Sequence, residues 1–362
     1  MLERLKKREG LREIMQYIIK KQPEDFLVQE ALCSQFVPMY HTEQDDLFGL
    51  YIIQKKGFTT FESVNIISDF FKIPTVDLGY AGLKDEDAIT FQFMTIPKSY
   101  ILKNEDINKF NSYYANKNSF IQITHHGYCP IPIQVGKLIG NSFSIVVRNI
   151  CPEMYMQYKD MKSYNLYMLN YYDIQRFGLP NSVKKTHEIG FHLIQNNYDE
   201  ARNILCLMDS PEKIKSLNFI GSSEAFFHSL EPRTLSFYYN SWESNRYNHQ
   251  LAELLKKYDD NVITQTYDGI PYVFTKNKKV LIDILNDKEF LSIEKHYYDG
   301  EKIIQRTSQR PSIINTTIQF NKWDEDIMYK GKFMLQISFF LPSGSYATLA
   351  VKQMMIYLMN WE

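Results

Sequence analysis

Cysteine is scarce in this chain: four residues in 362, Cys33, Cys129, Cys151 and Cys206, far apart and without a C-x-x-C pair. That usage fits reduced thiols in a cytoplasmic protein and argues against a disulfide scaffold or a zinc ribbon. Long apolar runs are missing too. None approaches the roughly 18–20 residues of a membrane span, so no membrane partner is expected. Neither sign of charge is in excess, with Lys plus Arg at 41 and Asp plus Glu at 42, net −1. This balance excludes a histone-like polybasic binder, although a local basic cleft does not depend on the sum. The opening MLERLKKREGLREIMQYIIKK mixes charges among its apolar residues and has no apolar h-region, so it does not read as a secretory signal. There is no G-x-x-x-x-G-K-[ST], and no G-x-G-x-x-G follows a strand, which argues against a nucleoside triphosphate or dinucleotide. The eight His are scattered, make no Ser–His–Asp pattern, and pair only as His125-His126, without further ligands at a useful spacing. Neither a metal nor a cofactor is expected.

What remains is a globular chain rich in Tyr (26) and Phe (24) and long enough for two or three domains. Leu2, Leu5, Ile14, Tyr17 and Ile18 among basic residues suggest a short amphipathic helix at the start. Phe48 to Ile53 reads as a strand. Thr59-x-x-Glu62 is a capping-box signature before Phe61, Val64, Ile67 and Phe71, predicting a helix to about Lys72, stopped by Pro74. Phe143 to Arg148 reads as a strand. Phe333, Leu335, Ile337, Phe339 and Leu341 alternate at period two, predicting another. Pro342, Ser343 and Gly344 break it, and Ser345 is the expected N-cap of a final helix holding Ala350, Met354 and Leu358. Between about Pro152 and Pro311 the texture is mainly helical, with helices expected over Tyr158 to Leu169, Ser182 to Gln195, Ala201 to Met208 and Leu235 to Tyr258. Tyr272 to Ile284 reads as a hairpin across Asn277. Strand-rich ends around a helical middle predict a mixed α/β (α+β) catalytic domain, residues 1–152 plus 315–362, with an inserted, mainly helical domain over 153–314.

Polar residues that can carry chemistry fall in a few segments. Tyr80 to Gln92 (YAGLKDEDAITFQ) is the densest polar turn, where Gly82 permits an unusual backbone or a close ligand. Lys84 beside Asp85 suits an ionised carboxylate; the same residues also suit an Asx-type turn with a surface ion pair. Gly140-Asn141-Ser142-Phe143 offers an aromatic and an amide able to stack on a base and bond its edge, or else a turn with Phe143 in the core. Pro23 to Glu30 (PEDFLVQE) clusters carboxylates suited to acid–base work or to a solvated turn.

Taken together these segments resemble the TruD family of pseudouridine synthases. Lys20 precedes Pro23-Glu24-Asp25-Phe26-Leu27-Val28-Gln29-Glu30 as the family's Lys precedes P-E-D-F-x-V-x-E. Tyr80 to Gln92 matches [FY]-A-G-x-K-D-x-x-A-x-T-x-Q, and Gly140 to Phe143 matches G-N-x-F. Asn170 to Gly178 (NYYDIQRFG) resembles N-Y-F-G-x-Q-R-F-G, Ser244 to Asn248 resembles S-x-x-F-N, and Leu341 to Thr348 is L-P-[AS]-G-S-[FY]-A-T. The resemblance implies a pseudouridine synthase-type mixed sheet with an inserted TruD-type domain. It also implies a cofactor-independent isomerase that cleaves the N1–C1′ bond of uridine, turns the uracil and rejoins it through C5. Asp85 is then the catalytic aspartate, acting as nucleophile or base. Phe143 is the aromatic beside the target base and Asn141 orients Asp85. Lys20, Glu24 and Lys84 complete the expected substrate-binding set. The implied partner is RNA, by family custom uridine 13 of tRNA.

The sequence departs from the family where substrate grip is concerned. Glu86 stands where many relatives are basic. The usual basic stretch before G-N-x-F is here the uncharged Cys129 to Gly136, and Tyr172 and Asp173 replace Phe and Gly. Each missing cation near a phosphate weakens RNA binding. A free uridine nucleotide is therefore an alternative substrate, and a non-catalytic RNA-binding protein a further reading.

Overall fold

The computed structural model describes residues 17–34, 48–84, 86–179, 182–299 and 301–359. Most of the expected N-terminal helix, and Asp85 itself, lie outside these. The described residues form two compact units. The first draws on Met1–Asn165 and Thr316–Gly344, the second on Leu166–Asn315 and Ser345–Asn360.

The first unit is built on one mixed sheet. Its strands are β1 (Phe26–Leu32), β2 (Phe48–Lys56), β3 (Gly79–Tyr80), β4 (Ile89–Pro97), β5 (Phe120–Cys129), β6 (Leu138–Ile150), β12 (Ile313–Glu325) and β13 (Phe333–Pro342). Their order is β5-β2-β4-β1-β6-β13-β12, with β3 on β4. β1 runs parallel to β4 and antiparallel to β6, and β6 is antiparallel to β13. The two strands read from the ends of the chain thus lie side by side. Helices α1 (Thr60–Phe71) and α2 (Asn104–Tyr113) bury Val64, Ile67, Ile107 and Phe110 with Tyr51, Met94 and Ile121 of the sheet. The capping box at Thr59 forms as expected: its side chain accepts from Glu62 N, and Glu62 returns a bond to Thr59 N at 2.7 Å. A short turn, Pro23–Asp25, is tied to the sheet by Arg148. That guanidinium is 5% exposed, holds both Asp25 oxygens at 2.7 Å, and reaches Asp326 at 3.1 Å. Bidentate pairing fixes geometry as well as charge, so the segment carrying Lys20 and Glu24 has a set position.

The first unit continues through α3 (Pro152–Tyr158) and the start of β7 (Ser163–Leu169). A single helix over Tyr158 to Leu169 is not what forms. Leu166 and Met168 are buried while Asn165 and Tyr167 are not, a period of two that makes the segment a strand.

The second unit holds α4 (Thr186–Ile194), α5 (Tyr198–Leu207), α6 (Pro211–Asn218), α7 (Ser223–Ser229), α8 (Pro232–Tyr258), α9 (Lys278–Asp287) and α10 (Ala347–Leu358). It also holds the ribbons β8 (Ile263–Tyr267) with β9 (Ile270–Phe274), and β10 (Phe290–Tyr298) with β11 (Ile303–Pro311). The hairpin expected across Asn277 is corrected. The turn lies at Asp268-Gly269, both at positive φ, as a tight hairpin requires. Asn277 instead caps α9, its side chain accepting from Lys279 N and Val280 N. The final helix is capped at Tyr346, not Ser345. It belongs to the second unit, although the expected boundary put it with the first. Its burial is nearly all-round and extends to Lys352 and Gln353. Gln353 exchanges both side-chain bonds with the Leu169 backbone, which satisfies a buried amide.

Candidate active site

The segment from Ala81 to Lys84 of the first unit is held by neighbours on three strands and a helix. Ala81, 2% exposed, sits in a small core with Leu50, Cys129 and Ile133. Its carbonyl accepts from Gly136 N at 2.8 Å. Gln92 donates to the Gly82 carbonyl, and its Oε1 accepts from Thr60 at 3.1 Å. Thr60 Oγ1 in turn accepts from Lys84 N at 2.9 Å. Lys55 is fully buried and donates to the Lys84 and Phe58 carbonyls at 3.2 and 2.8 Å. On the far side, the Glu86 carbonyl accepts from Gly57 N at 3.1 Å. Lys84 and Glu86, the residues on either side of Asp85, are thereby held through their backbones.

The Lys84 ammonium is directed at a buried carboxylate. It pairs with Glu30 at 2.6 Å, its side chain 8% exposed and that of Glu30 0%. The second Glu30 oxygen accepts from Phe93 N at 2.9 Å. Burial pushes the Glu30 carboxyl up, and Lys84 pulls it part of the way back.

Across the sheet, Glu30 faces Asn141, which faces Leu341. Two pairs along, Val28 faces Phe143, which faces Phe339. The structure thus brings the G-N-x-F residues next to the strand that anchors Lys84. Gly140 lets the two strands approach, because a Cβ there would collide with the Leu341 carbonyl and the Phe340 ring. Asn141 Oδ1 is buried and has no partner among the described residues. Phe143 is 8% exposed, stacked on Phe339 at 5.5 Å and edge-on to Phe26 at 6.1 Å. Lys20, at φ +55°, places its ammonium 4.4 Å from the Phe26 ring centre. Glu24 is less closely drawn in. It pairs with Lys56 at 2.5 Å, which holds its carboxyl below the usual carboxylate range.

Glu30, Gln92, Thr60 and Lys55 are the site's unforeseen members. Glu30 and Gln92 stand at fixed positions of the quoted motifs, which was an available signal. Nothing marks Lys55, one lysine at the end of an apolar strand. His125 and His126 sit on opposite faces of β5, against Tyr51 and Phe93, so the pair cannot converge on one ion. Ile133 of the uncharged stretch is 2% exposed, in the core beneath the motif turn. Its apolar character is explained by packing.

The remaining motifs converge in the second unit. Asn248 clamps the Tyr172 backbone at 2.8 and 2.9 Å. Asp173, 2% exposed, pairs with Lys352 at 2.8 Å and accepts from Thr348. The departure from Gly to Asp at that position is therefore matched by a buried cation on α10.

A profile of the family described as tRNA pseudouridine synthase D (TruD) matches residues 12–260. A Methanococcus maripaludis protein assigned as tRNA pseudouridine synthase D 1 is 25% identical, across 92% of this chain and 98% of that one. A tRNA pseudouridine synthase D of Helicobacter pylori strain Shi470 is 25% identical, across 89% and 90%. The crystal structure assigned to tRNA pseudouridine synthase D of Methanosarcina mazei shares the fold with a TM-score of 0.59 over 94% of each chain, at 16% identity. With a profile match across more than half its length, the chain belongs to the TruD family of tRNA pseudouridine synthases.

Proposed function

We propose that the protein isomerises uridine to pseudouridine within tRNA in the cytoplasm, with Asp85 as the catalytic carboxylate in the first unit. The observation that carries this is the turn itself: Lys84 and Glu86 are each tied to the frame by backbone hydrogen bonds. Pre-positioning of a reacting group is what accelerates such a step. An ionised Asp85 either adds to the sugar or base or removes the C2′ proton. The N1–C1′ bond breaks, C5 bonds to C1′, the C5 proton leaves to solvent and N1 takes a proton, so the product is an isomer. A uridine inside RNA must first leave its stack. Asn141, Phe143 and Lys20 are the residues proposed to receive it. Glu24 is proposed as a more distant member of the same cleft.

The test measures pseudouridine by nucleoside mass spectrometry after incubation with a tRNA transcript and, separately, with uridine monophosphate. Wild type is expected to convert the tRNA, and Asp85→Asn to lose roughly 10²-fold or more in rate while keeping its fold. Asparagine retains size but cannot act as base or nucleophile at neutral pH. Conversion of the mononucleotide alone would move the substrate assignment to a free nucleotide. Conversion of neither would leave an RNA-binding role, and near wild-type turnover by a folded Asp85→Asn would remove Asp85 as the catalyst.

A further inference from the structure

One large aromatic beside the Lys84 segment of the first unit is left outside the core. Phe61, in the first turn of α1, is 46% exposed. Its mount is rigid. Thr59 and Glu62 close the capping box around it, and Thr60, 2% exposed, accepts from Lys84 N at 2.9 Å. Thr60 also donates to Gln92 at 3.1 Å, and the Gln92 amide reaches the Gly82 carbonyl. Lys55 of β2 donates to the Lys84 carbonyl at 3.2 Å, and Gly57 N donates to the Glu86 carbonyl at 3.1 Å. The run from Lys55 to Phe61 is thus tied to the residues on both sides of Asp85. The Phe61 ring meets that of Tyr80, the first residue of the same motif, at 6.5 Å and 88°. An edge-to-face contact covers at most one face of a ring, so it leaves Phe61 a second face. Leu83, immediately before Lys84, is 60% exposed. Glu86 and Asp87, on the other side of Asp85, are exposed carboxylates.

Singly exposed apolar residues are ordinary on a protein surface. What sets Phe61 apart is its mount, which holds an open aromatic ring one residue from the side chain that fixes Lys84. We propose that Phe61 is a stacking platform for a base of the RNA substrate that neighbours the uridine being isomerised. This rests on the reading of the protein as a tRNA pseudouridine synthase, and it adds a contact distinct from those assigned to Asn141 and Phe143. A uridine drawn out of its stack bares the faces of the bases it leaves. An aromatic ring covers such a face whatever the identity of the base. The local charge selects a base and not a phosphate, because Phe61 carries none and the exposed Glu86 and Asp87 repel the RNA backbone. A ring held on a capped helix turn also loses little freedom on binding, which keeps the ordering cost of the contact small.

The test uses the full chain with Phe61→Leu and Phe61→Trp. Leucine keeps an apolar contact for Tyr80 but has no π face, whereas tryptophan enlarges that face. Affinity for a tRNA transcript is measured by fluorescence anisotropy over a range of KCl concentrations, alongside KM, kcat and the thermal midpoint. Losing one base–aromatic stack weakens Kd by roughly 5- to 150-fold. Phe61→Leu is therefore expected to weaken Kd and raise KM about tenfold, with kcat and the midpoint unchanged. The slope of log K against log salt should not move, since stacking releases no counterions. Phe61→Trp should bind at least as tightly as wild type, and the emission of its added indole should be quenched by tRNA. If both variants bind like a wild type that converts tRNA, the proposal fails. It fails also if Phe61→Leu lowers the midpoint and its loss in Kd follows only the fraction unfolded, which would make the ring packing for Tyr80. A salt slope lowered by about 0.7–0.9 would assign the lost contact to a phosphate and overturn the proposal. So would a self-associating wild type that Phe61→Leu turns into a monomer with tRNA affinity unaltered, because the face would then belong to a second copy. If wild type neither binds nor converts tRNA, it is the functional reading that has failed, and this proposal with it.

Discussion

Replacing Lys84 by Met strands the Glu30 carboxylate, and the structure sets the size of the consequence. Glu30 side-chain exposure is 0%, and besides Lys84 at 2.6 Å it accepts from the Phe93 amide at 2.9 Å. Breaking a buried pair by removing one partner costs about 3–5 kcal/mol. A second route gives a ceiling. The stranded carboxyl takes up a proton, and holding it protonated at pH 7.5 against an unfolded value of 4.5 costs about 1.36 kcal/mol per pH unit, roughly 4 kcal/mol in all. The two figures agree. The second also fixes the pH dependence. With the folded pKa raised, the folded chain keeps a proton that the unfolded chain releases, so the variant is least penalised below pH 4.5 and loses stability as pH rises towards the folded pKa. At pH 5 the same ceiling is only about 1 kcal/mol. Chemical denaturation of wild type and Lys84→Met at pH 7.5 and pH 5 should show the penalty shrinking severalfold on acidification. Glu30→Gln combined with Lys84→Met should recover most of the loss, since an amide still accepts from the Phe93 amide and carries no charge. A penalty equal at both pH values, or a double variant as unstable as the single one, would refute the reasoning.

Two further outcomes follow from buried groups. His187 sits edge-on to Phe177 at 5.2 Å, and burial drops its imidazole to about 4; with the folded value depressed from 6.5, the second unit loses about 3 kcal/mol as pH falls from 6.5 to 4, and urea unfolding of His187→Leu should lack that part of the wild-type acid sensitivity. Ile133→Lys would bury an unpaired ammonium in the core under Ala81, so its midpoint in urea should fall by the equivalent of about 3 kcal/mol or more, whereas a rise in tRNA affinity at unchanged stability would put this stretch on the RNA face after all.

The features legible in the sequence were those with local causes. A period of two revealed β13 because it has one buried face, and the capping box revealed α1 because Thr59 and Glu62 bond within one turn. Legibility failed where local chemistry has two outcomes. Asn277 suits a hairpin turn and a helix cap equally, and what decides is that Val280, Leu281 and Ile284 can be buried together on one helical face. It failed also where burial is all-round. The final helix shows no polar side to the solvent, and Lys352 inside it is tolerated only because Asp173, far away in the chain, meets it. The site repeats the same lesson. Adjacent in sequence, Lys84 and Asp85 suggest a cation serving its neighbour, but the pairing of β1 with β4 brings Glu30 to Lys84 instead. The polar residues of the motif thus divide by what they touch. Lys84, Gln92, Thr60 and Glu30 direct their hydrogen bonds inward to one another and to the turn's backbone, so the turn has little freedom to relax when a charged substrate arrives. The Lys84→Met variant is therefore expected to lose turnover beyond what its fraction unfolded explains, a difference visible in kcat measured at pH 5, where its stability is nearly restored.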